Sequence, residues 1–130
     1  MPLIVEANSP ALMARSQLIE AIGIETIGGV FTPIINAGQS IPFSITQMFS
    51  TAVHWQTEIT LELYRGNSVT HVSYAHPLGT FKVVGIPRQP RGMPEIDVRF
   101  FTRDLDLLVE AKDRNGNKNI RMIRADESGS

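Results

Sequence analysis

Two β-type runs separated by a double glycine stand in Ile22-Gly23-Ile24-Glu25-Thr26-Ile27-Gly28-Gly29-Val30-Phe31-Thr32-Pro33-Ile34-Ile35. Ile24, Thr26 and Ile27 are branched at Cβ and fit a pleated strand. Gly28-Gly29 lets the backbone take φ > 0, or pass close to another chain, with no Cβ in the way. A second apolar run opens at Val30 and continues to Ile35. A strand that breaks at paired glycines and resumes is either an ordinary turn or an edge that curves around something.

Working outward, the alternation of apolar and polar residues predicts strands nearly everywhere. It is clearest at Ile59-Thr60-Leu61-Glu62-Leu63 and Ile96-Asp97-Val98-Arg99-Phe100, and weaker at Phe81-Lys82-Val83 and Leu107 to Ala111. Turn chemistry separates the runs at Asn36-Ala37-Gly38, Arg65-Gly66-Asn67, Pro87 to Pro94 and Asn115-Gly116-Asn117. Strands are expected near 22–27, 31–36, 41–51, 56–64, 77–84, 95–102, 106–112 and 117–123, an all-β sandwich of about eight short antiparallel strands. Asn115-Gly116 reads as a hairpin. Residues 1–21 read as a leader or linker-like segment, 22–124 as the sandwich and 125–130 as a polar tail. Within the leader, Ser9-Pro10 has the form of a helix N-cap followed by proline, ahead of a glycine-free stretch from Ala11 to Ala21.

The chain has 130 residues, 42% of them apolar and 19% charged, which suits one globular domain. It holds no cysteine, so disulfides, thiolate metal sites and cysteine nucleophiles are excluded. No apolar run approaches the ~20 residues of a membrane helix; no membrane partner and a cytoplasmic location are expected. Net charge is −1, but residues 82–124 hold ten of the twelve basic residues against six of the thirteen acids. The bland reading, charges alternating on a solvated face, is preferred to a nucleic-acid surface, because no aromatic platform accompanies them.

Gly23 to Ile35 resembles the opening of the substrate-binding β-domain of the DnaK-type, seventy-kilodalton heat-shock chaperones. Phe49-Ser50-Thr51-Ala52, Gln56-Thr57, Leu78-Gly79, Gly85-Ile86-Pro87, Pro90-Arg91-Gly92-Met93-Pro94 and Ala111-Lys112-Asp113 follow in that family's order. The resemblance implies a peptide channel between loops at one end of the sandwich. Its wall would comprise Ile24, Thr26, Ile27, Phe49, Ser50, Ala52, Gln56, Ile59, Leu61 and Ile96. Ile27 and Ala52 match the pair that arches over the peptide. Ile59, with Phe49 and Ile96, matches a pocket for one aliphatic side chain, and Arg91 matches a residue that latches a helical lid. Plain core is the alternative for each apolar member of that set, and is preferred for Leu63, Val98 and Phe100.

The implied function is that of a chaperone domain holding extended, leucine-rich segments of unfolded polypeptides. No cofactor is implied for this chain; ATP belongs to an ATPase domain not matched here. That ATPase domain and a J-domain co-chaperone are the implied partners of a full-length protein, and self-association through the groove or tail is a further expectation. Leu3-Ile4-Val5 is the best internal ligand for such a groove. A rival reading is an assembly module that docks a protein partner through Val53-His54-Trp55, a loop the family makes small and polar. Trp55 either extends the binding surface, makes a subunit contact or folds back over the sheet. Arg103-Asp104-Leu105-Asp106 is shorter than the family's acidic turn and lacks its glycine.

Little supports an enzyme. His54, His71 and His76 lack metal-ligand spacing and are expected on the surface. Asp104 and Asp106 are too few for a calcium loop. Gly28-Gly29 lacks the lysine and helix of a phosphate loop.

Overall fold

The computed structural model describes residues 2–8, 13, 14 and 16–125. In chain order the strands are β1 Leu3–Glu6, β2 Met13–Ala14, β3 Gln17–Leu18, β4 Ala21–Thr26, β5 Val30–Ile35 and β6 Ser44–Phe49. They continue as β7 Ile59–Gly66, β8 His76–Val84, β9 Ile96–Arg103, β10 Asp106–Asp113 and β11 Arg121–Arg124. One sheet has the order β1-β10-β9-β6, the other β11-β8-β7-β4-β5, and β2-β3 form a separate ribbon. All pairings are antiparallel. The all-β sandwich read from the alternation is therefore the fold, and each of the eight expected strands has its counterpart.

Alternation explains the packing. On β7, Ile59, Leu61 and Leu63 enter the core while Thr60 and Glu62 face out. On β9, Ile96, Val98 and Phe100 enter from the opposite sheet. Each such side chain contributes roughly 1.5–3 kcal/mol of burial. Period-2 patterning thus fixes both which face is inward and, by that, the register.

Four expectations are corrected. Residues 3–8, 13, 14 and 16–21 are part of the sandwich instead of a leader preceding it. β1 lies along β10, pairing Leu3 with Val109 and Ile4 with Leu108. Val5, Met13 and Leu18 belong to the core cluster, and that burial is why the segment docks. Leu3-Ile4-Val5 is thereby committed to a sheet and does not fill a groove. The Ser9-Pro10 cap lies outside the described residues, but the stretch after it is no helix where described. Met13 and Ala14 pair with Leu18 and Gln17, and Leu18 N donates to Gln39 O (2.9 Å) while Ile41 N donates to Ser16 O (2.8 Å). Finally, Asn115-Gly116 does turn the chain, with Gly116 N donating to Asp113 O (3.1 Å), but it joins no hairpin. β10 and β11 lie in different sheets, because Met122 reaches the core only by pairing β11 with β8.

The register defines two ends. Three connections between the sheets, residues 50–58, 85–95 and 114–120, gather with the β4–β5 turn at one end. Residues 36–43 lie at the other, where the β2-β3 ribbon, itself between β1 and β4 in the chain, bonds to them and delivers Met13 and Leu18 into the core. The β9–β10 hairpin also lies there. Asp104 (φ 55) takes the left-handed conformation in it that a glycine would take without strain.

Candidate functional site

The end with three crossings is the candidate site. β1 and β10 face β8 and β11, which leaves β6 on the side of β4 and β5. The connection leaving β6 therefore rises beside the β4–β5 turn. That turn is the double glycine: Gly28 (φ 85) and Gly29 (φ 74) are both left-handed, and Gly29 N donates to Thr26 O (3.0 Å). Thr26 and Thr32 hydroxyls share a 2.8 Å hydrogen bond at its base. A segment from the β7–β8 connection braces it, with Val72 N donating to Gly29 O (2.9 Å) and Phe31 N to Thr70 O (2.9 Å). The His71 ring lies so close that a Cβ on Gly29 would sit 2.6 Å from its Nε2. Ile27, at the tip, is 99% exposed and touches almost nothing.

Opposite this turn, residues 50–58 and 85–95 are sewn together. Gly92 N donates to Thr51 O (3.1 Å), Trp55 N to Gln89 O (2.9 Å), Arg91 N to His54 Nδ1 (3.1 Å) and Ile86 N to Thr57 O (3.1 Å). The Ser50 hydroxyl donates to Pro94 O. Gln56 organises its own loop: its Oε1 accepts from Ala52 N (2.8 Å) and Val53 N (3.2 Å), and its Nε2 donates to Glu58 O (2.7 Å). Four or more such bonds across two loops make a preorganised rim, since each adds about 0.5–1.5 kcal/mol net.

The residues expected to line a channel fall into three groups. Ile27 and Ala52 are exposed, Ile27 on the glycine turn and Ala52 on the sewn loop. Ile24 and Phe49 are half-buried and pack against the core from the rim. Ile59 (7% exposed), Leu61 and Ile96 are core members, with Ile96 directly opposite Phe49 on the β6–β9 ladder. Thr26, Ser50 and Gln56 place their polar atoms in loop bonds, so their visible role is to shape the rim. Arg91 is exposed there.

One residue of this end was not legible as a site residue, and one alternative left open for another is decided. Met93 is 57% exposed on the 85–95 connection, and only its place in a proline-glycine turn hinted at a tip. Trp55 does not fold back over the sheet: it is 56% exposed, with a left-handed backbone (φ 68). The ring of His54 stands beside it at 6.0 Å.

Elsewhere the bland readings suffice. All three histidines are exposed, yet His54 accepts a backbone bond and His71 Nδ1 accepts from Ser73 N (3.1 Å) at a 3₁₀ turn. Several charges of residues 82–124 are paired, Lys82 with Glu58, Arg99 with Glu110 and Arg114 with Asp97. Arg99 also covers the Phe101 ring at 3.8 Å. On the outer face of the five-stranded sheet, Tyr64 donates to Glu25 (3.0 Å). There, partial burial and then the Glu25 carboxylate hold the Glu62 carboxyl above its usual range. Among the described residues no three His, Asp or Glu side chains cluster as metal ligands, and no helix is long and apolar enough to cross a membrane.

Comparison with known proteins bears on this arrangement. A model of the family described as Hsp70 protein matches residues 17–129. The chain is also similar to a chaperone protein DnaK from Anaplasma marginale (strain St. Maries), 42% identical over 113 residues. That alignment covers 84% of this chain and 17% of the relative, so the chain spans about a sixth of that protein's length.

Proposed function

The chain belongs to the Hsp70 protein family, and from that premise we propose that its sandwich holds extended apolar segments of unfolded polypeptides at the end where the three crossings meet. The observation that carries this is Ile27: an almost wholly exposed isoleucine on a braced glycine turn, at the same end of the sandwich as the preorganised loops and the half-buried Ile24 and Phe49. Leaving such a side chain in water forgoes roughly 1.5–3 kcal/mol, which a bound apolar chain would recover. Main-chain contacts to an extended peptide do not depend on its sequence, while one apolar pocket adds a preference for leucine. In this reading Phe49 swings on its rim position to open the space above Ile59 and Ile96. The role is binding, not catalysis. ATP hydrolysis and a J-domain co-chaperone would act through an ATPase domain, in the cytoplasm, with this module as the holding end.

The test is a titration of the purified chain with unrelated leucine-centred peptides, followed by anisotropy. We expect affinities near the micromolar range, about −8 kcal/mol, and fast release, because Ile27 makes no contact that would close the channel. Replacing the central leucine by aspartate should abolish binding. The rival reading, an assembly module docking through Val53–Trp55, predicts indifference to all these peptides, and that result would overturn the proposal.

A further inference from the structure

We propose that Trp55, with Val53 and Met93, forms a second side-chain subsite beside the groove, one that takes an aromatic side chain of the same extended peptide. The inference rests on the peptide-holding reading and adds a residue preference to it. Val53 (60% exposed), Trp55 and Met93 are three large apolar side chains presented to water by two different connections. Single exposed apolar residues are ordinary, but three gathered on sewn loops make a patch.

The backbone supplies a second observation. A left-handed φ, such as the 68° of Trp55, is a strained outlier for a bulky aromatic residue. Here it is held by the bond from Trp55 N to Gln89 O and by the neighbouring bond from Arg91 N to His54 Nδ1. Two loops are thus fixed so that the indole projects outward. His54 flanks one side of it, its ring tilted by 41°.

Position gives the occupant. Val53 to Trp55 lie between Ala52 and Gln56, and the Gln56 carboxamide binds the amides of both Ala52 and Val53. Any chain resting against Ala52 therefore passes this patch within a residue or two. An indole face and a methionine thioether both favour aromatic partners. Three side chains fall far short of the roughly 800 Å² per partner that a stable protein interface buries, which disfavours a second copy as the occupant.

Trp55 is the only tryptophan, so its emission reports the subsite directly. The probes are a leucine-centred peptide free of aromatic residues and versions carrying one phenylalanine two to four positions to either side. We expect one phenylalanine peptide to bind about tenfold tighter than its parent and to shift Trp55 emission to the blue. Trp55→Asn, which tolerates the left-handed backbone, should remove that tenfold gain. It should not lower the melting temperature and should leave the affinity for the parent peptide unchanged, and Met93→Ser should remove part of the gain.

The parent peptide binding normally while phenylalanine adds neither affinity nor a spectral shift would overturn the subsite and leave the groove standing. Equal losses for both peptides in Trp55→Asn would overturn it too, by assigning Trp55 to loop structure. So would an emission shift that follows protein concentration alone, with a doubled mass in solution, since that assigns the patch to self-association. Failure of every peptide to bind the unaltered chain would defeat the groove, and the subsite with it.

Discussion

The two ends of this sandwich face the same physical problem and answer it oppositely. A pair of packed sheets leaves its core open at each end. At one end the β2-β3 ribbon bonds to residues 36–41 and drives Met13 (2% exposed) and Leu18 (fully buried) into the gap. At the other, three crossings and a glycine turn build a stiff rim that leaves Ile27, Val53, Trp55 and Met93 in water. One end is sealed by the protein's own apolar side chains. The other is shaped by hydrogen bonds and leaves its apolar groups for something else. Burial therefore marks where stability resides, and braced exposure marks the end where the proposed binding would occur.

The largest expected effect breaks the sealed end. Leu18→Ala removes a fully buried side chain from the core and should cost about 2–5 kcal/mol in a denaturant titration. Peptide affinity per folded molecule should not change. A loss of affinity beyond the unfolded fraction would mean the two ends are coupled and would dissolve the contrast.

Ile27→Ser is the counterpart at the open end. With its side chain almost wholly in water, stability should stay within about 0.5 kcal/mol, while affinity for a leucine-centred peptide should fall about tenfold. A destabilised variant would show that the tip packs against something in solution.

The smallest effect lies on neither end. Glu62→Gln removes a carboxyl that its surroundings and Glu25 disfavour as an anion. Its folded-state pKa is raised, so the native protein is favoured with Glu62 protonated, and that contribution fades as pH rises from the ordinary value of 4.5 through the higher folded value. At pH 7 the variant should be more stable by a few tenths of a kcal/mol. The advantage should vanish in melts below pH 4, with peptide affinity untouched throughout.

Much of this was legible because alternation is local. Ile59 to Leu63 and Ile96 to Phe100 declare their inward faces without help from the rest of the chain. β2 and β3 do not, since two-residue strands are held by bonds to Ser16, Gln39 and the neighbouring connection, not by propensity. The Asn115-Gly116 turn signal was real, but the partner of the next strand was chosen by the burial of Met122, which no turn encodes. At the site, the resemblance named Ile27 and Ala52, which are exposed at this end, together with Ile59, Leu61 and Ile96, which are core. It could not say that Gln56, Ser50 and Thr26 tie their polar atoms into the loops. Nor does any tryptophan announce a positive φ: that of Trp55 depends on Gln89 and on a His54–Arg91 bond reached only after folding.

The Arg124 guanidinium, finally, sets a timetable. It donates to the carbonyls of Ile4 (3.2 Å), Val5 (3.3 Å) and Leu78 (2.9 Å) and lies 5.0 Å over the Phe81 ring, so one side chain spans both sheets. Arg124 and Ile4 are 120 residues apart. At a synthesis rate of 5–20 residues per second, the first strand must wait about 6–24 s for its last partner. Until residues 107–109 are made, Leu3-Ile4-Val5 is an apolar strand with neither neighbour nor clamp. A nascent chain stalled before Asp106 should therefore leave residues 3–6 open to protease, and release past Arg124 should close them. While it is being made, this protein presents the same kind of segment that we propose its open end holds.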